Sequence, residues 1–337
     1  MASIQLSASK VMSNVFDQLP GVALPVREVT DRLASIWETD NPDYPISFHA
    51  SQMNVVLHFG LATDSQTACK RFDGLIRFAQ RYPCRIIVLC PTESDLGNGM
   101  ESKLFSQCYI GKSQREMCCC EALILRYSQA SYEYLFDQIS IWLESDLPTY
   151  YWFSELLAQK MRERYVDKIL QLGVRRCVFD SSVNSSELGA PDWPKDLKTG
   201  DLAEARLLPM RQIIGQFLSQ YPIETICEGL ASVQVRYSGA SGEADSLLKW
   251  VQTCLHTYDK PILRETEFLL TKVETSSPYS LGVSFHYSDY KHFSCDRLRD
   301  GFRCEVKADF GQGVKRAYVP IEPLTDEQIL AEAFFFI

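Results

Sequence analysis

The chain predicts an α/β fold: an open, mostly parallel sheet with flanking helices, followed by a smaller α+β domain with an antiparallel sheet. Three observations predict it. Short β-branched runs alternate with amphipathic helical stretches through the first half of the chain. Beyond Gly229 strict apolar–polar alternation takes over, the pattern of a sheet with one wet face. The length, 337 residues, exceeds what a single core usually serves, so two domains are expected, residues 1–222 and 223–337.

In order, Asn54-Val-Val-Leu-His-Phe59 and Arg85-Ile-Ile-Val-Leu-Cys90 read as buried strands. Between them Cys69, Phe72, Leu75, Ile76 and Ala79 recur at helical spacing. This strand–helix–strand unit implies parallel pairing and a right-handed crossover. A loop with a candidate strand over 104–110 precedes a strand over 121–126. Tyr132, Leu135, Phe136, Ile139, Trp142 and Leu143 then form one helical stripe. That helix should stop near Asp146, because the residue before Pro148 is pushed out of helical geometry. A strand over 149–153, a helix from 155 to about 166 and a strand over 174–179 complete the first sheet.

The loop from Ser185 to Gly200, with Pro191 and Pro194, leads to a helix whose first turn holds Pro209. Its apolar side is Met210, Ile213, Ile214, Phe217 and Leu218, and it should end before Pro222. Period-two alternation marks strands around Val233–Tyr237, Leu281–Tyr287 and Cys304–Phe310. One helix interrupts them, with Ala244, Leu247, Leu248, Val251, Cys254 and Leu255 on one stripe. Gly311-Gln312-Gly313 suits a hairpin turn, and a short helix closes the chain near Asp326–Phe335.

Composition narrows the function classes. A makeup of 46% hydrophobic and 23% charged residues is that of an ordinary globular protein. No window approaches 18 uninterrupted apolar residues, and the first ten residues lack a basic segment followed by an apolar one. A cytoplasmic protein with no membrane partner is expected. The net charge of −9 opposes a nucleic-acid partner. The densest basic stretch, from Lys291 to Arg316, is interleaved with Asp296, Asp300, Glu305 and Asp309 and reads as a solvated sheet face. Twelve cysteines without an export signal read mostly as reduced, buried thiols. No Cys-x-x-Cys occurs and the five histidines are scattered, so neither a metal nor another cofactor is expected. Cys118, Cys119 and Cys120 are a candidate redox cluster or the start of a buried strand.

Catalytic signatures are sparse. Gly97-Asn98-Gly99 does not follow a strand and lacks the third glycine of a phosphate-binding turn. Two constellations carry more. Trp152, Ser154 and Glu155 should lie at the carboxyl end of one strand and Asp180, Ser181 and Ser182 at that of another, where open α/β sheets bind ligands. This rim either accepts a sugar phosphate or nucleotide in an enzyme, or merely ends strands in local turns. The second is Asp201, Arg206 and Arg211. Arg206 sits in the apolar run Ala205–Met210, which suggests a bidentate-paired guanidinium, either within the fold or toward a partner.

Four segments resemble, in order, motifs of the glucose-6-phosphate dehydrogenase assembly protein (OpcA) family. They are Arg81-Tyr-Pro-Cys-Arg85, Asp146-Leu-Pro148 leading to Trp152, Val178-Phe-Asp180-Ser181-Ser182, and Asp201-Leu…Ala205-Arg206-Leu-Leu-Pro-Met-Arg211. The likeness covers about residues 50–220. It implies a non-catalytic factor that binds glucose-6-phosphate dehydrogenase and promotes its assembly or activation, under redox control in some members. Arg85, Asp146, Pro148, Trp152, Asp180, Ser181, Asp201, Arg206 and Arg211 become the interaction candidates. Glu204 and Met210 stand where the family usually has tryptophans, which implies altered partner contacts.

Overall fold

A computed structural model describes residues 15–35, 51–94, 96, 99–110, 117–155, 159–183, 193–257 and 265–337. The side chains of 34–35, 108–110, 117–119, 129, 133 and 159–164 are outside the description. Gly97-Asn98, Pro191 and the side chains of Cys118 and Cys119 therefore lie outside the described residues. The chain forms two compact units, Met1–Cys177 with Asp196–Lys198, and Val178–Lys195 with Thr199–Ile337.

The first unit contains α1 (Val15–Gln18), β1 (Val22–Leu24), α2 (Val29–Ser35), β2 (Met53–His58), α3 (Ser65–Arg81), β3 (Cys84–Thr92), β4 (Met100–Ile110) and β5 (Met117–Ser128). There follow α4 (Tyr132–Trp142), β6 (Thr149–Phe153), α5 (Gln159–Gln171) and β7 (Val174–Phe179), whose last two residues pass into the second unit. With β8 (Thr199–Asp201) the strands make an eight-stranded sheet in the order β1-β4-β5-β3-β2-β6-β7-β8. β5, β3, β2 and β6 pair in parallel, and β4 pairs antiparallel with both β5 and β1. The parallel strands are buried on both faces, which is why they read as unbroken apolar runs.

The crossover from β2 to β3 runs one way along the sheet and those from β5 to β6 and β6 to β7 run the other way. Right-handed crossovers then put α3 on one face and α4 with α5 on the opposite one. The ring contacts agree: Tyr132 and Phe136 of α4 meet Tyr165 of α5 at 4.7 and 5.8 Å, while Phe72 of α3 meets Phe105 of β4 at 5.4 Å. Asp64 caps α3, its carboxylate accepting from the Thr67 N–H at 2.9 Å.

Two boundaries differ from the sequence expectation. The helix expected to reach Asp146 ends at Trp142, because the chain from Glu144 to Thr149 is held by Asn54 instead of continuing its own helical bonds. The helix expected from 155 is described from Gln159 to Gln171. The short strands β1 and β8 carry no periodicity that three residues can display.

The second unit holds α6 (Leu202–Arg206), α7 (Leu208–Leu218), α8 (Ile223–Cys227), β9 (Leu230–Tyr237), α9 (Gly242–His256) and β10 (Glu267–Lys272). β11 (Tyr279–Tyr287), β12 (His292–Leu298), β13 (Arg303–Asp309), β14 (Lys315–Pro320) and α10 (Asp326–Phe335) complete it. Its sheet runs β10-β9-β11-β12-β13-β14 and is antiparallel except for β10, which pairs in parallel with β9. The α9 segment makes that crossover, a second strand–helix–strand unit that alternation did not announce because Leu269 and Leu270 are both exposed.

The expected boundary at 222 differs from the division into units. Leu207, Met210, Ile213 and Ile214 belong to the same buried cluster as Val233, Val235, Leu247 and Val283. Residues 178–222, apart from 196–198, are therefore part of the second unit. The charged sheet face is only partly the solvated one expected: Arg303, Lys315 and Arg316 are exposed, but Asp296 and Glu305 are buried and need charged partners. Burial pushes the Glu305 carboxyl up, but hydrogen bonds from Tyr279, Lys307 and Arg316 override this and hold it at about 2. Arg303 pairs with Asp300 and Arg297 with Glu243.

One polar side chain sits deep in the first core. His58 of β2 is fully buried, with Nδ1 2.8 Å from the Tyr151 hydroxyl and Nε2 2.7 Å from that of Tyr127, which lies 2.8 Å from the Tyr165 hydroxyl. A neutral imidazole offers one donor and one acceptor, and each faces a hydroxyl able to play either part. Burial lowers the His58 pKa from 6.5 to about 3. The unfolded chain therefore takes up a proton between those values that the folded chain refuses. Stability supplied by this group is full above pH 6.5 and is lost as pH falls toward 3, at about 1.4 kcal/mol per pH unit. Urea titrations from pH 7 to 4 should show a His58→Gln variant less stable at neutral pH and distinctly flatter in acid; parallel slopes would contradict the assignment.

Candidate functional site

The motif residues assemble into two clusters, one in each unit. In the first unit, β2 brings Asn54 between Arg85 of β3 and Thr149 of β6, its direct partners in the ladder. Asn54 is completely buried and its amide is fully used. Nδ2 donates to the Glu144 and Leu147 carbonyls at 2.9 and 3.3 Å and to Thr149 Oγ1 at 3.2 Å, while Oδ1 accepts from the Glu144 N–H at 3.1 Å. The Asn54 N–H donates to the Pro148 carbonyl at 2.9 Å. Arg85 bonds the Trp142 carbonyl at 3.2 Å and pairs with Glu144 at 2.7 Å. Arg85 and the Asp146-Leu-Pro148 turn are thus one construction, which clamps the α4-to-β6 connection. Asp146 is exposed on that turn.

This corner lies at the amino ends of the parallel strands, opposite the rim where open α/β sheets usually hold ligands. Trp152, at the other end of β6, is 4% exposed and belongs to the core, so it presents no face to a ligand or a partner. The neighbouring Ser154 is buried, and its hydroxyl and carbonyl both accept from Arg71.

The second cluster centres on Arg206, the last residue of α6. Its Nη1 and Nη2 donate to the two carboxylate oxygens of Asp180 at 3.0 and 2.7 Å, and Nη2 also donates to Ser182 Oγ at 2.9 Å. Nε donates to Glu243 in the first turn of α9 at 3.1 Å. The other Glu243 oxygen accepts from Arg297 of β12 at 2.6 Å. Cations and carboxylates alternate from Asp180 to Arg297. Burial by itself would lower the Arg206 pKa, but Asp180 and Glu243 more than offset it, and the guanidinium stays charged.

Asp201 caps α6. One carboxylate oxygen accepts from the Ala203 N–H at 2.9 Å and from the Ser181 N–H at 3.1 Å, tying the Asp180-Ser181-Ser182 turn to the start of that helix. Burial raises the Asp201 pKa, against the pull of those bonds. Gly242, the first residue of α9, lets the same turn approach, since a Cβ there would collide with Ser181 and with the Ser182 nitrogen. Arg211 lies apart, paired with Glu204 at 3.2 Å and stacked 5.1 Å from the Trp250 ring. Met210 is buried in the second core, so the residue standing in for a family tryptophan fills the interior instead of a surface. Glu204 serves Arg211.

The residues that sequence reasoning grouped as a rim belong to different units: Trp152, Ser154 and Glu155 to the first, Asp180, Ser181 and Ser182 to the second. Sequence reasoning missed Asn54, Glu243 and Arg297. A lone asparagine in an otherwise apolar strand was the available signal for Asn54; nothing local marks the other two. Cys120 is buried within β5. Among the described residues no group of three or more His, Cys, Asp or Glu gathers as a metal site, and no helix is long and apolar enough to cross a membrane.

The family described as glucose-6-phosphate dehydrogenase subunit N-terminal domain (OpcA, glucose-6-phosphate dehydrogenase assembly) matches residues 77–191. Over those residues the chain is similar to the OpcA family. The match encloses Arg85, Asp146, Pro148, Trp152, Asp180 and Ser181; Asp201, Arg206 and Arg211 lie beyond it. Two relatives bear the description putative OxPP cycle protein OpcA. That of Synechocystis sp. is 25% identical over 181 residues, 52% of this chain and 38% of the relative. That of Synechococcus elongatus is 35% identical over 106 residues, 31% of this chain and 23% of the relative. The chain thus spans less than two fifths of the length of either relative in these matches. Among solved structures, a 3-ketoreductase from Actinomadura kijaniata aligns with a TM-score of 0.44 at 10% identity, covering 84% of this chain and 88% of that one. Glucose-6-phosphate 1-dehydrogenase from Mycobacterium avium aligns with a TM-score of 0.43 at 9% identity, covering 84% and 87%. At these scores neither likeness carries an argument.

If Arg206 is the centre of this cluster, Arg206→Met should cost about 3 kcal/mol by stranding two partly buried carboxylates. Combining it with Asp180→Asn should cost clearly less than the sum of the single changes. Chemical denaturation of the four proteins measures this, and strict additivity would remove the coupling.

Proposed function

We propose that this chain is a non-catalytic partner of glucose-6-phosphate dehydrogenase that favours the enzyme's active oligomer or conformation. The observation that carries the reading is the family match over residues 77–191; beside it, two motif side chains within the match are engaged inside the fold, Asp180 with Arg206 and Arg85 with Glu144. Arg206 is spent on Asp180 and Glu243, and Arg85 on Glu144, an arrangement suited to holding a surface in shape. A factor of this kind works by differential affinity: binding the active form tenfold more tightly shifts the population by about 1.4 kcal/mol. It requires no acid–base pair of its own.

Mixing the purified chain with the dehydrogenase from the same organism should give a co-eluting complex, a changed oligomer size and a lower KM for glucose 6-phosphate. Separate elution with unchanged kinetics would reject the reading.

A second reading, a sugar-phosphate or nucleotide enzyme, draws on a cavity of about 470 Å³ in the first unit. It opens at the carboxyl ends of β2, β3 and β5, lined by Gly60, Thr63, Thr92, Ser94 and Arg126. That is the usual ligand rim of such sheets. The electrostatics oppose a phosphate there. Asp17 and Glu93 also line the cavity, Arg126 is paired with Glu101 at 2.9 Å, and Asp64 caps the α3 N-terminus that would otherwise receive an anion. Millimolar NADP+ or glucose 6-phosphate should leave the melting temperature within about a degree; a rise of several degrees would favour the enzyme reading.

A further inference from the structure

The turn from β2 into α3 has the plan of a phosphate-binding turn, with the place of the anion already taken. Such turns need a glycine whose bare backbone lets an anion approach, followed by the N-terminus of a helix. Gly60 lies just beyond β2, and its N–H donates to the Thr63 hydroxyl at 2.9 Å as the chain bends into α3. A Cβ on Gly60 would collide with the Glu155 carboxylate, so this glycine admits a negative group that belongs to the chain itself. A second such group, Asp64, caps α3. It accepts from the Thr67 hydroxyl and N–H at 2.6 and 2.9 Å, and these bonds hold its carboxyl below the usual carboxylate range. Carboxylates thus stand at the glycine and at the helix N-terminus, the two places that a bound nucleotide gives to its phosphates.

What lies beyond the turn fits the remainder of such a ligand. β3 follows α3, and Glu93 comes directly after its last residue, Thr92. In dinucleotide folds a carboxylate that follows the glycine turn by one helix and one strand hydrogen-bonds the ribose. Glu93 is exposed and lines the cavity of about 470 Å³, a volume within the range of small-molecule sites. Val15, Leu61 and Pro91 give this cavity an apolar wall, and Asp17 supplies a further acceptor. With Asp17 and Glu93 set against Arg126, which is itself held by Glu101 at 2.9 Å, the lining is negative on balance. An acceptor for paired hydroxyls, an apolar wall and a barred phosphate position together describe a nucleotide without its phosphate.

We propose that the cavity at the carboxyl ends of β2, β3 and β5 binds a nucleoside, with the ribose diol on Glu93 and the base against Val15, Leu61 and Pro91. The inference goes beyond the association with glucose-6-phosphate dehydrogenase and does not depend on it. It differs equally from the enzyme reading, since it involves neither a phosphate nor a reaction.

The test uses the full chain with adenosine as the probe, read by titration calorimetry and thermal melting. Millimolar adenosine should raise the melting temperature by several degrees. AMP should bind at least about tenfold more weakly, because its phosphate meets Asp64 and Glu155. 2′-Deoxyadenosine should also bind about tenfold more weakly, having lost a hydroxyl that donates to Glu93. Glu93→Ala, at an exposed position, should reduce that preference for adenosine to about twofold. Asp64→Ser keeps a capping hydroxyl and removes the charge, so it should strengthen AMP binding about fivefold and leave adenosine unchanged. No binding of adenosine at millimolar concentration would overturn the proposal, and so would AMP or NADP+ binding more tightly than adenosine. Ribose or glucose binding as tightly would assign the cavity to a free sugar, and putrescine binding more tightly would assign it to an amine; either result overturns the nucleoside. Adenosine binding that Glu93→Ala leaves unaltered would place the ligand elsewhere and overturn it as well.

Discussion

The second unit depends on one guanidinium. Arg206 makes a two-toothed bond with Asp180 and reaches Glu243 through its third nitrogen, so a turn, the end of α6 and the start of α9 are fixed by a single side chain. Charges this poorly hydrated are tolerable only when paired, and each member here has a partner of opposite sign. Lysine would not substitute, because a point charge cannot span both oxygens of one carboxylate while donating to another. The arrangement also explains why Gly242 begins α9: the Asp180 turn has to lie against that backbone for the carboxylate to reach the arginine.

The first unit solves a related problem by different means. An unpaired polar group buried in its parallel sheet would be costly, and two side chains there are fully paired. Asn54 does this for the connection into β6 by bonding three backbone groups and a hydroxyl with one amide. His58 does it within the core by placing each ring nitrogen against a tyrosine hydroxyl, and burial keeps it neutral. Neither residue faces solvent, and both specify how strands and connections align.

These facts bear on how a protein of this kind acts. Residues that resemblance marks as important are, with the exception of exposed Asp146, engaged inside their own units. On the proposed function their contribution to recognition is indirect: they hold the shape of surfaces that other residues present. Accessible apolar and aromatic groups are better suited to direct contact than paired ions, whose removal from their partners would cost more than a new contact returns.

Periodicity was enough to read most elements. The buried strands of the parallel sheet, the stripes of α3, α4, α7 and α9, and the antiparallel character of the second sheet follow from side-chain alternation, which is a local property of the chain. The order of motif segments likewise sufficed to connect the chain with the OpcA family, and the apolar setting of Arg206 announced a paired guanidinium. Tertiary structure decided the rest. That residues 199–222 belong to the second unit, that β10 runs parallel to β9, and that Glu243 and Arg297 complete the Arg206 cluster all depend on contacts between residues tens of positions apart. Local pattern tells a residue which way to face; only the packed fold determines which distant residue meets it there, because a charge buried at Arg206 selects its partners by distance and geometry and not by their place in the chain.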